Sequence, residues 1–317
     1  MADESSDKLD AQKELRIRAA WIYHVEGRTQ SEVADILGIN RVAVTRLLAD
    51  AKKKSEVIVT VSSDLAPLAK LERDLEARFQ LNRCIVVPHT QMDHEPVQPI
   101  AHAAAGFVSD LLEPGMTVGV GWGRTLHAML RFIEARPIAD LRIVSLLGGL
   151  SEARRFNPAE FAWQFAEKFS ADGFLLPAPA VVDSIETRDA LIERCGIHQV
   201  FDMADESDVV LLSCGALSQL NTSYRVGIID DQQRADLANL NAAGDMLFTF
   251  LGENGQPVDH NLNQRCISFD LERIRKIKER ILISGGPSKL PILRASLQAV
   301  KPTTLITDEH TARGLNA

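Results

Sequence analysis

The stretch MTVGVGWGRTLHAML, residues 116–130, sets glycines, an arginine and a threonine between a β-branched run and a helical pattern. Gly121 and Gly123 let the backbone approach a ligand closely. Arg124 and Thr125 add a cation and a hydroxyl where the next helix begins, an arrangement that suits a phosphate or another polar group. Three chemistries share this shape: a catalytic loop, a nucleotide loop, and a pocket that only senses its ligand. A turn that needs glycine for geometry alone is the fourth reading. The nucleotide readings fail on detail. The loop lacks the Gly-Lys-Ser/Thr ending of an NTPase phosphate loop, and GVGWGR is not G-x-G-x-x-G. No clear acidic residue follows about 20 positions on, where a dinucleotide site needs one. No cofactor is therefore expected.

Metal and thiol chemistry find little support. His89 and His94 lie close together in a loop but belong to no His/Cys cluster with ligand spacing. Cys84, Cys195, Cys214 and Cys266 are scattered, with no C-x-x-C pair; free thiols in a reducing cytoplasm are the simplest reading. Proton transfer between adjacent carbons needs a base placed against the substrate. The chain offers carboxylates but no unambiguous base, so neither a metal nor a catalytic residue is assigned.

A second constellation lies near the N-terminus. Between Ile39 and Lys54 the basic residues Arg41, Arg46, Lys52, Lys53 and Lys54 meet the single acid Asp50, in a chain of formal net charge −8. A small basic patch on an acidic protein suits a separate DNA-binding module rather than a chain that coats nucleic acid along its length. The segment QSEVADILGINRVAVTRLLA, residues 30–49, has the matching pattern. Ala34 is small where two helices cross, and Gly38 supplies the positive φ of the bend between them. Val33, Leu37, Ile39, Val44 and Leu47 are expected to face a small core. Asn40, Arg41, Val42, Thr45 and Arg46 are then left pointing outward, with Gln30 beside them at the start of the first helix. Arginine can bond guanine bidentately, and Asn40 or Thr45 can reach a base edge or a phosphate. Lys52 and Lys53 would grip the backbone without reading sequence. An ordinary helical hairpin with solvated outward residues is the competing reading. AAWIYHVEG, residues 19–27, supplies a supporting helix, with Trp21, Ile22 and Val25 expected in the core. One such module contacts few base pairs, so a dimer or higher homo-oligomer is expected on operator DNA.

The elements that must position these groups follow from periodicity. The chain has 317 residues, of which 45% are hydrophobic and 25% charged, enough for about two globular domains. No apolar run reaches the roughly 18 residues of a membrane span, and the start MADESSDKLDAQKELR is too polar for a leader, so a cytoplasmic protein is expected. Residues 9–54 read as three helices, VIVTV (57–61) as a strand, and the segment from Asp64 to about residue 80 as an amphipathic helix that is one candidate interface. From Cys84 onward short apolar runs alternate with helical patterns: CIVVP, TVGVG, LRIVSLLGG, DVVLLSCG, DMLFTFLG, ERILISGG and TTLIT read as strands, and 124–135, 158–169 and 289–299 as helices. Such alternation predicts an α/β domain with a mainly parallel, Rossmann-like sheet covered on both faces. The expected division is a helix-turn-helix domain over 1–56 and a larger domain over 57–317. Ligands of parallel sheets bind beyond the strands' carboxyl ends, and polar loops beginning with glycine follow several strands: GWGRT, GGLSEARRFN, GALSQLNTSYR, GENG and GGPSK.

Taken in order, RTQSEVADILGINRVAVTRLL, GVGWGRTL, LLGGL, PAPA, SCGAL, AAGDMLFTFLGENGQPV, ILISGGPSKLPILRASL and LITDEHTA resemble the SorC/DeoR-type sugar-binding transcriptional regulators over nearly the full length. The resemblance implies a sugar-phosphate-isomerase-like effector domain that binds a sugar, a polyol or their phosphates and thereby alters the grip on operator DNA. It implies that Arg124 and Thr125 hold a phosphate or terminal hydroxyl and that Gly148, Gly149 and Asn157 line the pocket. Asp245 would accept hydroxyl hydrogen bonds, Lys289 would reach the effector from the last glycine loop, and Tyr224 or Arg225 would close the pocket. One departure stands out: some phosphosugar-binding members carry arginine just before the Gly-Gly, where this chain has Leu147. That leaves a polyol or a monophosphate open. The whole chain also resembles repressors of erythritol-type polyol operons. An isomerase-like enzyme with an appended DNA-binding domain is the alternative. Asp308, before EHTA, reads as a helix N-cap.

Overall fold

The computed structural model describes residues 3–54, 56–57, 66–88, 95–150, 157–219 and 221–317. The chain divides into two compact units, Met1–Asp64 and Leu65–Ala317.

The first unit holds the helices Asp3–His24, Gln30–Leu37 and Arg41–Lys53. Local chemistry fixes both later helices. Thr29 and Glu32 form a reciprocal capping box at the start of Gln30–Leu37, and Gly38 ends it in the left-handed region at φ 65°. Asn40 then caps the next helix by accepting from the Ala43 N–H. Ala19, Ala20, Ile22, Val33, Ala34, Val44, Leu48 and Ala51 form the core, with Leu37, Ile39 and Leu47 packed against it. Arg16 forks onto Glu56 through two hydrogen bonds of 2.5 and 2.6 Å. Two expected core residues lie elsewhere: Trp21 is 58% and Val25 61% exposed. The first helix buries the face of Arg16, Ala19, Ala20 and Tyr23, so Ile17 and Trp21, with Val25 just beyond the helix, rise along the opposite face at a spacing of four.

The second unit is built on ten strands: β1 (Arg83–Val87), β2 (Thr117–Val120), β3 (Arg142–Ser145), β4 (Asp172–Phe174), β5 (Val209–Leu212), β6 (Gly215–Ala216), β7 (Ala242–Met246), β8 (Thr249–Gly252), β9 (Glu279–Ile283) and β10 (Thr304–Asp308). Seven form a wholly parallel sheet in the order β1-β10-β9-β5-β2-β3-β4. Its central strands are buried on both faces, which is why they read as continuous apolar runs. Separate apolar clusters cover the two faces. From β2 the chain winds outward through β3 and β4, then crosses to β5 on the other side and winds the opposite way. The β2/β5 boundary is therefore the topological switch point, where a crevice opens beyond the strand ends.

Several expectations need correction. DMLFTFLG is not one strand of the parallel sheet but most of the antiparallel β7–β8 hairpin, joined to β6 in a second, three-stranded sheet. Its two turn residues, Leu247 and Phe248, both have positive φ, 50° and 59°, a geometry that usually calls for Asn-Gly. Their burial offsets the backbone cost: both are almost wholly enclosed, and the Phe248 ring lies 4.4 Å from that of Trp122. The short strands β4 and β6 were not expected. The helix read over 124–135 ends at Met129, after which backbone bonds tighten to three-residue closures at Leu130, Arg131 and Phe132. The helix expected from Asp64 is described from Ala66 to Phe79; Asp64 itself and residues 58–61 of the expected strand VIVTV lie outside the described residues, while Val57 has no regular structure.

Candidate functional site

A cleft occupies the predicted crevice beyond the ends of β2 and β5. Four chain segments supply it. Trp122, Gly123 and Arg124 follow β2; Ser213 to Ala216 follow β5, continuing to Asn221 and Thr222; Asp245 comes from β7; Ser288 and Lys289 follow β9. Glu95, ahead of the helix Val97–Leu111, completes it.

Asp245 is positioned before any ligand arrives. Its carboxylate is almost fully buried and accepts hydrogen bonds from Asn221 Nδ2 at 2.9 Å, from the Ser223 hydroxyl at 3.4 Å and from the Phe248 N–H. Asn221 is held in turn, donating to the Ala216 carbonyl at 2.6 Å and accepting from the Ser223 N–H at 2.8 Å. Burial pushes the Asp245 carboxyl up to about 6, against the pull of Asn221, the Phe248 N–H, Ser223 and Lys289. Gly215, opposite Asp245 in the β6–β7 register, has no room for a side chain, because a Cβ there would sit 2.9 Å from the Asp245 carboxylate.

Lys289 is the complementary group. The residue is buried and lines the cleft. Burial lowers its pKa, while Cys214, Glu95 and Asp245 favour the charged form and Arg124 opposes it. Burial raises the Cys214 thiol, which lies 3.4 Å from the Ser284 hydroxyl; Cys214 is thus a neutral wall of the cleft. One amino group of the Arg124 guanidinium is paired with Glu95.

Of the ten residues expected to hold an effector, Gly123, Arg124, Asp245 and Lys289 line this cleft. The other six serve elsewhere among the described residues. Gly121 donates to the Leu211 carbonyl and allows β2 to approach β5, where a Cβ would meet that oxygen at 3.0 Å. Thr125 is buried behind the loop. Gly148 and Gly149 pack against the chain at Ala178 and Pro179, and a Cβ on Gly148 would lie 2.7 Å from two carbonyl oxygens. Asn157 caps the helix Pro158–Lys168 and donates to the Leu150 carbonyl. The Tyr224 hydroxyl donates to Asp231, and Arg225 is exposed. Glu95, Trp122, Ser213, Cys214, Asn221, Thr222 and Ser288 were not singled out in the sequence. Most belong to loops that were; Glu95 belongs to none. Asp308 is indeed an N-cap, accepting from the Thr311 N–H, and it also accepts from Gly286 N–H and so fixes the last glycine loop.

The N-terminal unit presents a separate surface. Asn40, Arg41, Val42, Thr45, Arg46, Lys52 and Lys53 are all exposed on or just before the helix Arg41–Lys53. Val42, at 64% exposure, is an apolar group turned outward, of the kind that contacts a thymine methyl. The Thr45 hydroxyl lies 3.1 Å from Gln30 Oε1, which ties Gln30 to this face.

The sugar-binding domain family matches residues 63–316. The erythritol catabolism regulatory protein EryD of Brucella abortus is 35% identical over 96% of this chain and 97% of its own. The deoxyribonucleoside regulator of Bacillus subtilis is 28% identical over 97% of this chain and 99% of its own. The full-length sorbitol operon regulator SorC of Klebsiella pneumoniae has the same fold, with a TM-score of 0.72, 24% identity, and coverage of 97% of this chain and 100% of that one. Among the described residues no helix is long and apolar enough to cross a membrane, and no cluster of metal-ligating side chains occurs. The chain belongs to the sugar-binding-domain family of SorC/DeoR-type transcriptional regulators.

Proposed function

We propose that this protein is a cytoplasmic, homo-oligomeric repressor of a carbohydrate or polyol catabolic operon, and that a polyol, a sugar or a monophosphate of either binds beside Asp245 and Lys289 to control its grip on operator DNA. The observation that carries the reading is the convergence of two buried residues of opposite charge, Asp245 and Lys289, on the switch-point crevice. An acceptor and a donor held at fixed positions, flanked by the hydroxyls and amides of Ser213, Ser218, Asn221 and Thr222, match the alternating hydroxyls of such a ligand. The names of the similar regulators support the same class of effector, and the exposed face of Arg41–Lys53 supports DNA as the output. Gln30, Asn40, Arg41, Val42, Thr45 and Arg46 would read or abut bases, and Lys52 and Lys53 would hold phosphates. Nothing in the reading requires turnover: the cleft holds a thiol that burial keeps neutral and a carboxylate already bound by three donors.

The test is a gel-shift titration of the full-length protein on the DNA upstream of its own operon, with erythritol, sorbitol and their monophosphates as effectors. At least one should change the operator Kd by about 5- to 150-fold and be recovered chemically unchanged. Sustained product formation, or an operator affinity indifferent to all of them, would overturn the reading.

A further inference from the structure

Among the described residues that line the cleft, cations and carboxylates are equal in number. Among the described lining residues the cations are Arg124 and Lys289, and the carboxylates are Glu95 and Asp245. The four are near enough for Glu95, Arg124 and Asp245 all to act on the Lys289 ammonium. Asp245 comes from within the second sheet, whereas Glu95 comes from outside it. Glu95 pairs with the Arg124 guanidinium and lies against Gly286, its Cγ 4.0 Å from the point a Cβ would occupy on that glycine. Both partners are about three-quarters shielded from solvent, with side-chain exposures of 22% and 23%. A phosphate group carries about −1.5 to −2 near neutral pH. Seated on Arg124, it would have to displace Glu95 or share the guanidinium with it, and either way it would face that carboxylate in a shielded site where charges interact more strongly than in water. An uncharged polyol meets no such opposition, and Glu95 offers it one more acceptor.

We propose that Glu95 determines the charge class of the effector: by occupying Arg124 it makes the cleft select unphosphorylated polyols over their monophosphates. This rests on the cleft being the effector site. Glu95 acts by holding charge at the position a phosphate needs, so its neutral isostere should admit the phosphate. The same substitution leaves shape and hydrogen-bonding capacity nearly intact.

The experiment is calorimetric titration of the full-length wild type, E95Q and E95A with two matched pairs, erythritol and erythritol 4-phosphate, and sorbitol and sorbitol 6-phosphate, with inorganic phosphate as a third probe. In the wild type the free polyol of the better pair should bind at least tenfold more tightly than its monophosphate. In E95Q and E95A the ratio of the monophosphate Kd to the polyol Kd should fall by roughly tenfold or more, the fold-change equivalent of one lost unfavourable charge contact. A general loosening of the cleft moves both members of a pair together, so the ratio separates selection by charge from structural damage. A wild type that prefers the monophosphate, or an unchanged ratio in both variants, overturns the proposal for Glu95 while leaving the effector site standing. Failure of every probe to bind overturns the proposal together with the reading of the cleft.

Discussion

Asp245 illustrates how the proposed binding role of a residue comes at the expense of stability. Its carboxylate is enclosed, and the donors from Asn221, Ser223 and the Phe248 N–H only partly replace the lost water, so its pKa rises from the ordinary 3.8 to about 6. The sign of the pH dependence follows. The folded chain holds this proton more tightly than the unfolded chain, so the contribution of Asp245 to stability is greatest below its unfolded pKa and is lost as pH rises through about 6. Asp245→Asn carries no such titration. We therefore predict that the melting temperature of D245N relative to the wild type is higher at pH 7.5 than at pH 5, by roughly 2–6 °C, while the effector response disappears. A difference that does not vary with pH would show that the carboxylate is better solvated than its burial implies. Asp245 and Lys289 were expected at the cleft through the family resemblance of AGDML and GGPSK, and both line it. Glu95 was not expected there, because a carboxylate ahead of an ordinary helix carries no pattern that ties it to an arginine 29 positions later.

Elements were legible where one physical rule dominated. The central parallel strands are enclosed on both faces and therefore read as apolar runs, and the paired N-terminal helices carry their caps at Thr29, Gly38 and Asn40. Reading failed where tertiary packing overrode local preference, as at Leu247-Phe248, where enclosed side chains hold a turn that no turn residue announces. It failed again at Trp21, because large apolar character does not state which face of a helix is turned inward. Glycines in GWGRT and LLGGL were legible as necessary, but Gly121 and Gly148 are required by close backbone contacts rather than by a ligand. On the helix Arg41–Lys53 the outward set is exposed as the spacing requires, and this licenses a prediction at that scale. Arg46→Ala should weaken operator binding by roughly 10- to 100-fold, the loss of one bidentate base contact, and relax specificity at one position. The double variant K52A/K53A should instead weaken binding to all sequences and reduce the salt slope. Both are read by gel shift on operator and unrelated DNA, with circular dichroism confirming the fold; unchanged operator retention by R46A would remove this helix from the recognition role.

At the scale of the whole molecule the proposed function is a coupling between two equilibria, and coupling has a symmetry that a list of contacts lacks. A ligand in the cleft shifts operator affinity only to the extent that it binds two states of the protein differently. The same difference must then appear when the order is reversed: saturating operator DNA must change effector affinity by the factor through which effector changes operator affinity. The wild type titrated calorimetrically with its effector, alone and bound to a slight excess of operator, should give Kd values whose ratio matches the gel-shift ratio within experimental error. R46A should show no operator-dependent change in effector affinity at protein and DNA concentrations where it no longer binds, although its cleft is untouched. Because this reciprocity holds for every equilibrium route, an operator that leaves the effector Kd unchanged while effector still releases the DNA would mean that the titrated site is not the one that controls release. Where the two ratios match, the dependence of release on protein concentration separates a change of state within the oligomer from loss of the oligomer, because dissociation of subunits is favoured by dilution.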